Sequence, residues 1–346
     1  MTEATKHSRT GLVAIGRNEG ERLRVCLESS LPRARHVVYV DSGSTDGSVA
    51  LARSLGATVV ELDTTVPFTA AWARNAGFER LDALAEDLEF VQFVDGDCEL
   101  EPGWLDRAHA VMREEPDAAV VCGRRRERFP EASVYNLLCD MEWDTPIGPA
   151  AECGGDALMR VEAFRRVGGY RPDLIAGEEP ELCSRLIAEG GRVLRIDEPM
   201  TLHDARMTSF RQWWTRNVRS GHANAEGGSQ QVAHASARAS RETRSTWLWG
   251  GVLPLAMLVA LAIGVPSITL ALAVLYAVQV VRIARREPRP RFATAHQYVY
   301  AASCVLGKLP NVQGQLRYAI GRLTGRRSAL IEYKGPESAP RDPTAT

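Results

Sequence analysis

The chain is predicted to be an α/β protein with a mostly parallel central sheet, followed by an apolar helical hairpin. Three observations carry this: short apolar runs alternating with helical patterns over the first hundred residues, polar clusters placed directly after those runs, and a 35-residue stretch near the C-terminus without Asp, Glu, Lys or Arg. At 346 residues the chain can bury one sizeable core and still carry an extension. A charged fraction of 25% and a hydrophobic fraction of 45% are those of a folded protein. The net charge of -1 hides a polarity: residues 1–205 hold 23 Lys/Arg against 37 Asp/Glu, and residues 206–334 hold 18 against 4. With an apolar stretch inside the basic part, the basic partner is expected to be a membrane surface, not nucleic acid.

Leu12 to Ile15, His36 to Val40 and Phe90 to Val94 read as buried strands, and Thr58 to Leu62 as a shorter one. Gly20 to Ser30 and Ser48 to Gly56 fit helices between them, giving the strand–helix–strand repeat of a parallel sheet. Ligands in such sheets bind outside the carboxyl ends of the strands. The polar clusters fall there: Gly16-Arg17-Asn18-Glu19, then Asp41-Ser42-Gly43-Ser44-Thr45-Asp46-Gly47, then Asp95-Gly96-Asp97. Asp-Ser-Gly-Ser is also a common turn and helix cap, so the second cluster has a purely structural alternative.

Asp95 and Asp97 offer two hard oxygen ligands at a strand end, with Gly96 leaving room for a phosphate. That set suits Mn²⁺ or Mg²⁺ on a diphosphate. Two unpaired carboxylates would repel each other, which makes a cation the simplest partner. His203 is a candidate third ligand, or a structural histidine. Arg74 offers a planar fork for a phosphate, or is a solvated helix residue. Glu178 and Glu179 open the helical pattern EEPELCSRLIAEGG, with Pro180 suited to its first turn. One of the pair can be a helix-dipole partner; the other, Glu179, is the candidate general base.

In order along the chain, RNEG, VDSGSTDGS, ARNAGFE, FVDGD, GGDALMR, VGGY and GEEPEL form a set that resembles the family 2 glycosyltransferases over residues 10–225. The resemblance implies a GT-A fold, the nucleotide-diphospho-sugar transferase fold, and transfer of a sugar from a nucleotide-diphosphate sugar with a divalent metal. On it, Glu19 and Asp41 hold the nucleoside, with Ile15, Arg17, Gly43, Arg74 and Gly96 beside them on the donor side. Asp95 and Asp97 bind metal and diphosphate, with His203 as the further ligand. Gly155, Asp156, Trp213 and Trp214 fall on the acceptor side. The family's usual Glu-Asp is Glu178-Glu179 here. Its processive Gln-x-x-Arg-Trp is not reproduced in Arg211 to Arg216, which favours transfer of a single sugar, with inversion. A nucleotidyltransferase and a catalytically silent membrane scaffold are the alternatives.

The domain expectation is a flexible stretch 1–10, a catalytic domain 11–228, a polar linker 229–246, a membrane-inserted hairpin 247–281, a basic amphipathic surface region 282–334 and a disordered tail 335–346. Gly264, Val265, Pro266 and Ser267 supply the hairpin's break, and arms of about 17 to 18 residues are short for a full span. Arginines on both flanks place both ends in the cytoplasm. The seven scattered cysteines read as reduced core residues, and the polar N-terminus has no signal-peptide pattern. The expected location is a bacterial inner membrane with the catalytic domain facing the cytoplasm, and a lipid-linked or glycan acceptor.

Overall fold

The computed structural model describes residues 7–66, 68–228, 233–286 and 289–325. In chain order the first part comprises β1 His7–Gly16, α1 Glu21–Ser30, β2 Ala34–Asp41, α2 Ser48–Leu55, β3 Thr58–Glu61, α3 Ala70–Leu84, β4 Phe90–Asp95, β5 Cys98–Leu100, α4 Trp104–Glu114, β6 Ala118–Glu127, α5 Val134–Trp143, β7 Gly148–Pro149, β8 Ala157–Arg160, α6 Val161–Arg166, α7 Glu178–Ala188, β9 Arg192–His203 and α8 Phe210–Gly228. The rest is helical: α9 Ala233–Trp247, a π-helical turn Leu248–Val252, α10 Leu253–Ala262, α11 Pro266–Arg286, α12 Thr294–Leu306 and α13 Lys308–Thr324.

The strands form one nine-stranded sheet in the order β3-β2-β1-β4-β8-β6-β9-β5, with β7 on β9. From β3 to β4 every pairing is parallel. Leu12 to Ala14, Val38 to Val40 and Val91 to Val94 include the most buried side chains, because helices cover both faces and the strands have no solvent side. Register brings the strand ends level: Gly16 pairs with Asp41, and Ile15 with Asp95. Beyond β4 the sheet is mixed, since β8 runs antiparallel to both β4 and β6. The expectation of a mostly parallel sheet thus holds from β3 to β4, and parallel pairing returns between β6 and β9. β5 turns back straight after Asp97 and pairs antiparallel with the end of β9, setting Cys98 opposite His203.

Several expected boundaries move. Residues 7–10 belong to β1, where Thr10 pairs with Phe90, so the flexible expectation for 1–10 fails there; residues 1–6 lie outside the described ones. The expected linker 229–246 is helical from Ala233, and α9 runs through the π-turn into α10. Its Ala, Arg and Glu content is that of a helix former. The apolar helices are accordingly longer than the expected arms: Ser240–Ala262 with 23 residues and Pro266–Arg286 with 21, both long and apolar enough to cross a membrane. The break falls at Gly264, whose φ of 74° a side chain would resist. Leu258 and Leu270 are exposed at 63% and 67%, which a buried helical pair would not leave.

Within the expected surface region 282–334 the described residues form the end of α11, then α12 and α13, and α13 packs against α8. A Cβ on Gly314 would lie 2.0 Å from the Val218 carbonyl oxygen, one on Gly221 2.2 Å from the Asn311 oxygen, and one on Gly250 2.1 Å from the Lys308 oxygen. Helices α8 and α13 and the π-turn thus meet backbone to backbone, and only glycine fits. The expected tail 335–346 lies outside the described residues.

Candidate active site

The carboxyl ends of β1 and β4, the start of α7 and residues of α8, α9, the π-turn and α11 to α13 surround a cleft of ≈ 1550 Å³. Ile15, Arg17, Glu19, Arg74, Asp95, Asp97, Gly155, Glu178, Glu179 and Trp213 line it, so most of the expected site is brought together. Asp41, Gly43, Gly96, Asp156, His203 and Trp214 are not in its lining.

The first two loops are knitted to each other. Asp41 Oδ2 accepts from the N–H groups of Gly43 at 2.9 Å and Ser44 at 2.7 Å, and its Oδ1 accepts from the Tyr39 hydroxyl at 2.9 Å. That is the turn-building alternative for this cluster, and it accounts for Asp41 without a ligand. Asn18, at φ 55°, accepts from Thr45 N–H at 2.7 Å and donates its own N–H to Ser44 Oγ at 2.9 Å. Glu19 is buried and pairs with Arg22 at 2.7 Å.

At the centre sits a charge network. Arg74, 3% exposed and so no solvated helix residue, donates to Asp95 Oδ1 at 2.9 Å and to Glu178 Oε1 at 2.8 Å. Arg125 meets Asp95 Oδ2 at 3.2 Å and Asp156 Oδ2 at 2.7 Å. Asp95 is therefore not an unpaired carboxylate; two guanidinium groups already face it. Asp156, fully buried, accepts from the Asp95 N–H at 3.0 Å and the Thr201 hydroxyl at 2.7 Å. It positions the end of β4 from beneath the cleft floor. Gly155 lies beneath the network, where a Cβ would come within 2.9 Å of Asp95 Oδ2 and 3.0 Å of Arg74 Nη2. Gly96 is likewise a packing requirement, its missing Cβ making way for the Ile15 carbonyl at 3.0 Å.

Asp97 is buried with its Oδ1 3.3 Å from His203 Nε2. Burial opposes a charge on His203, but Asp97 and Glu127 outweigh it and raise its pKa. Ligand atoms of Asp95, Asp97, Cys98 and His203 all lie within 4.8 Å of one another. Two carboxylates and an imidazole fit a hard divalent cation. The Cys98 thiol is pushed up well above its ordinary range by burial and stays protonated, so it is a poor partner for such an ion.

Glu179 differs from Glu178. It is buried, and its Oε1 accepts from the Cys153 N–H and lies 3.1 Å from Cys183 Sγ. Burial, with the Glu152 carboxylate adding, raises its pKa against those hydrogen bonds. A carboxylate pushed up and opening on a cleft is the profile of a proton acceptor. The Trp213 ring packs with Leu138, Cys139 and Met207, while Trp214 Nε1 donates to Gln313 Oε1 at 2.8 Å and docks α8 on α13. Trp214 thus joins the two helices.

Arg125 and Glu127 were not singled out from the sequence. They lie in Gly123-Arg124-Arg125-Arg126-Glu127, a charge run that suggests a solvated face. Strand alternation separates them: Arg124 pairs with Asp144 at 2.9 Å, Arg125 turns inward, and Arg126 pairs with Asp140 at 2.7 Å.

A parallel half-sheet continued by mixed strands, with Asp-x-Asp at the switch between them, defines the GT-A class of nucleotide-diphospho-sugar transferase folds. A solved structure of that class, the mannosyltransferase PcManGT from Pyrobaculum calidifontis in complex with GDP-Man and Mn²⁺, is similar in fold with a TM-score of 0.56 at 19% identity, covering 87% of this chain and 88% of that one. Residues 13–168 match the family described as glycosyl transferase family 2, so this part of the chain is a family 2 glycosyltransferase domain. Among relatives, it is 28% identical over 210 residues to the succinoglycan biosynthesis protein ExoA of Rhizobium meliloti (strain 1021), covering 57% of this chain and 63% of that protein. It is 30% identical over 159 residues to the pre-mycofactocin glycosyltransferase of Mycobacterium tuberculosis (strain ATCC 25618 / H37Rv), covering 43% of this chain and 32% of that protein. The match thus spans less than two thirds of either relative. The family match ends before Glu178, so the roles of α7 and His203 rest on geometry.

Proposed function

We propose that the chain transfers a single sugar from a nucleotide-diphosphate sugar to a hydroxyl of a lipid-linked acceptor, with inversion. The observation that carries this reading is Arg74, which ties Asp95 to Glu178 and so sets the diphosphate side and the start of α7 on one cleft. Asp95, Asp97 and His203 would hold Mn²⁺ or Mg²⁺, which when bound offsets charge on the departing diphosphate. Glu179 takes the proton of the acceptor hydroxyl as its oxygen bonds to the sugar's anomeric carbon, and the bond from that carbon to the diphosphate oxygen breaks with its electron pair leaving on the nucleotide. Arg74 and Arg125 fix the Asp95 carboxylate for this, and Arg17 and Glu19 line the donor side. The two apolar helices, flanked by Arg241 and Arg244 before and Arg282, Arg285 and Arg286 after, support a membrane-inserted hairpin with both ends on the cytoplasmic side.

The test is a panel of uridine, guanosine and thymidine diphosphate sugars with Mn²⁺, scored by melting temperature and by the nucleotide released. A true donor raises the melting temperature by mass action and releases nucleoside diphosphate. Release of a sugar 1-phosphate, the group left when the nucleoside monophosphate is transferred, would identify a nucleotidyltransferase instead. A folded protein that no donor stabilises would be the silent scaffold.

A further inference from the structure

Behind Glu179 stand two thiols that the proposed sugar transfer does not use. Cys153 precedes Gly154-Gly155-Asp156, and Cys183 lies one turn along α7 from Glu179, on the same face of the helix. Cys183 Sγ is 3.6 Å from Cys153 Sγ and 3.1 Å from Glu179 Oε1, and the three ligand atoms all lie within 4.8 Å of one another. The Cys183 thiol has one proton for these two neighbours, so one of the two contacts always lacks a hydrogen bond. The Cys153 thiol is turned to the Gly154 carbonyl at 3.4 Å. All three residues are buried. Beside them the Tyr170 hydroxyl is buried with no hydrogen-bond partner. Burial, opposed by Arg74 and joined by Cys153, Glu179 and Cys183, raises that hydroxyl well above its ordinary range, so it stands within electrostatic reach of all three.

We propose that Cys153, Cys183 and Glu179 form a site for a thiophilic divalent cation, Zn²⁺ or Cd²⁺, which shares no residue with Asp95, Asp97 and His203. The spacing fits such an ion: two thiolates about 2.3 Å from a tetrahedral Zn²⁺ stand about 3.8 Å apart, close to the 3.6 Å between the two sulfurs. Thiolates select soft ions over Mg²⁺ and Mn²⁺, so the two clusters sort cations by softness. The ion enters past Glu179, which lines the cleft, and a water from the cleft completes four-coordination. On binding, each thiol releases its proton to solvent, and the two sulfurs and one Glu179 oxygen each give the metal an electron pair. The net negative charge of that set is offset by the Cys153 N–H, which donates to Glu179, and by the positive start of α7. An ion held there takes the electron pairs with which Glu179 would accept a proton, so the site is inhibitory. That consequence, unlike the site itself, rests on the proposed sugar transfer.

The experiment uses the full chain in lipid nanodiscs, reduced with a phosphine and held in excess Mg²⁺ to fill the oxygen-rich set. Co²⁺ should give a near-ultraviolet thiolate charge-transfer band with the strength of two sulfurs, and ¹¹³Cd²⁺ a resonance in the two-sulfur range. Cys153→Ser and Cys183→Ser, checked by melting temperature, should each lose the two-sulfur band, and Cys98→Ala should keep it. The wild-type ¹¹³Cd resonance is decisive even if a serine variant does not fold. A one-sulfur band that disappears in Cys98→Ala would place the ion with Asp95, Asp97 and His203 and overturn the proposal, as would the lack of any sulfur band. Zn²⁺ added over saturating Mn²⁺ should lower nucleotide release by about 10² or more, as loss of the base would, and should spare Cys153→Ser. A two-sulfur band with undiminished release would support the site and remove Glu179 as the base, so failure of the transfer reading is separable from failure of the metal site.

Discussion

The two ends of the cleft are held by different forces. At the sheet end Arg74, Arg125 and Asp156 fix Asp95 through charged hydrogen bonds. At the helical end Gly221, Gly250 and Gly314 let three helical segments meet at backbone contact. Charged side chains can shift a few tenths of an ångström and reform their bonds; a helix backbone pressed on another cannot. The sheet end is therefore expected to fail in activity and the helical end in stability.

The largest effect should come from Glu179→Gln, which leaves the shape and removes the proton acceptor. Loss of a positioned base costs on the order of 10² to 10⁴ in rate, with donor affinity, read by thermal shift, little changed. Glu178→Gln should instead weaken donor binding, because it frees Arg74 from one of its two carboxylates. If Glu178→Gln shows the turnover-only loss, the two roles are exchanged. The wild-type pH profile sharpens this. A base must be deprotonated, and burial raises the Glu179 pKa. The acid limb of kcat/KM should then lie above the ordinary carboxylate range of about 4.3 and move or vanish in Glu179→Gln.

Asp97→Asn comes next. Asp97 loses charge toward both the cation and His203, and a stabilisation of several kcal/mol is worth about 10³ in turnover. The melting temperature should stay near wild type. Retention of wild-type turnover by this variant in EDTA would remove the metal from the reaction.

The contrast between the two ends also decides what could be read from the sequence. Loops at the sheet end follow apolar runs directly, so Leu12 to Ile15 and Phe90 to Val94 locate Glu19, Asp95 and Asp97 by periodicity alone. What those residues pair with is less legible. Asp156 reads as an acceptor contact because Gly154-Gly155-Asp156 is a motif, yet its partners Arg125 and Thr201 come from strands 31 and 45 positions away. At the helical end the signal is weaker still. Gly221, Gly250 and Gly314 look like ordinary helix-weakening glycines, and their partners lie on segments whose pairing no local pattern reveals. The linker expectation fails from Ala233 onward for the same reason, since contacts of α9 with α8 and α13 stabilise a helix that its polar sequence does not announce.

Gly314→Ala probes the helical end. Alanine is favoured over glycine in a helix by about 1 kcal/mol, so propensity alone predicts stabilisation. The Cβ, however, would fall 2.0 Å from the Val218 carbonyl and 2.7 Å from the His222 N, both backbone atoms. Overpacking typically costs 1–3 kcal/mol, and backbone contacts belong at the upper end. A net loss of about 1–2 kcal/mol is expected, seen as a melting temperature several degrees lower with donor KM unchanged.

Gly155→Ala is the matching change at the sheet end and should give the smallest and opposite result. The φ of Gly155 is not in the left-handed region, so alanine meets no backbone strain there. Its Cβ would approach Asp95 Oδ2 at 2.9 Å, Arg74 Nη2 at 3.0 Å and Arg125 Nη2 at 3.1 Å, all tips of side chains. Those tips can yield, which keeps the stability cost below about 1 kcal/mol. Yielding has a consequence for the site, because Asp95 moves with its arginines and leaves its alignment with Asp97. Misplacement by 1 Å can cost about 10²-fold, so a shift of a few tenths should raise donor KM about 3- to 10-fold. Melting curves and donor titrations of the two alanine variants side by side separate the outcomes. A Gly155→Ala protein that loses as many degrees as Gly314→Ala while keeping its KM would mean that both ends are held by packing, and that the charge network around Asp95 does not set the donor geometry.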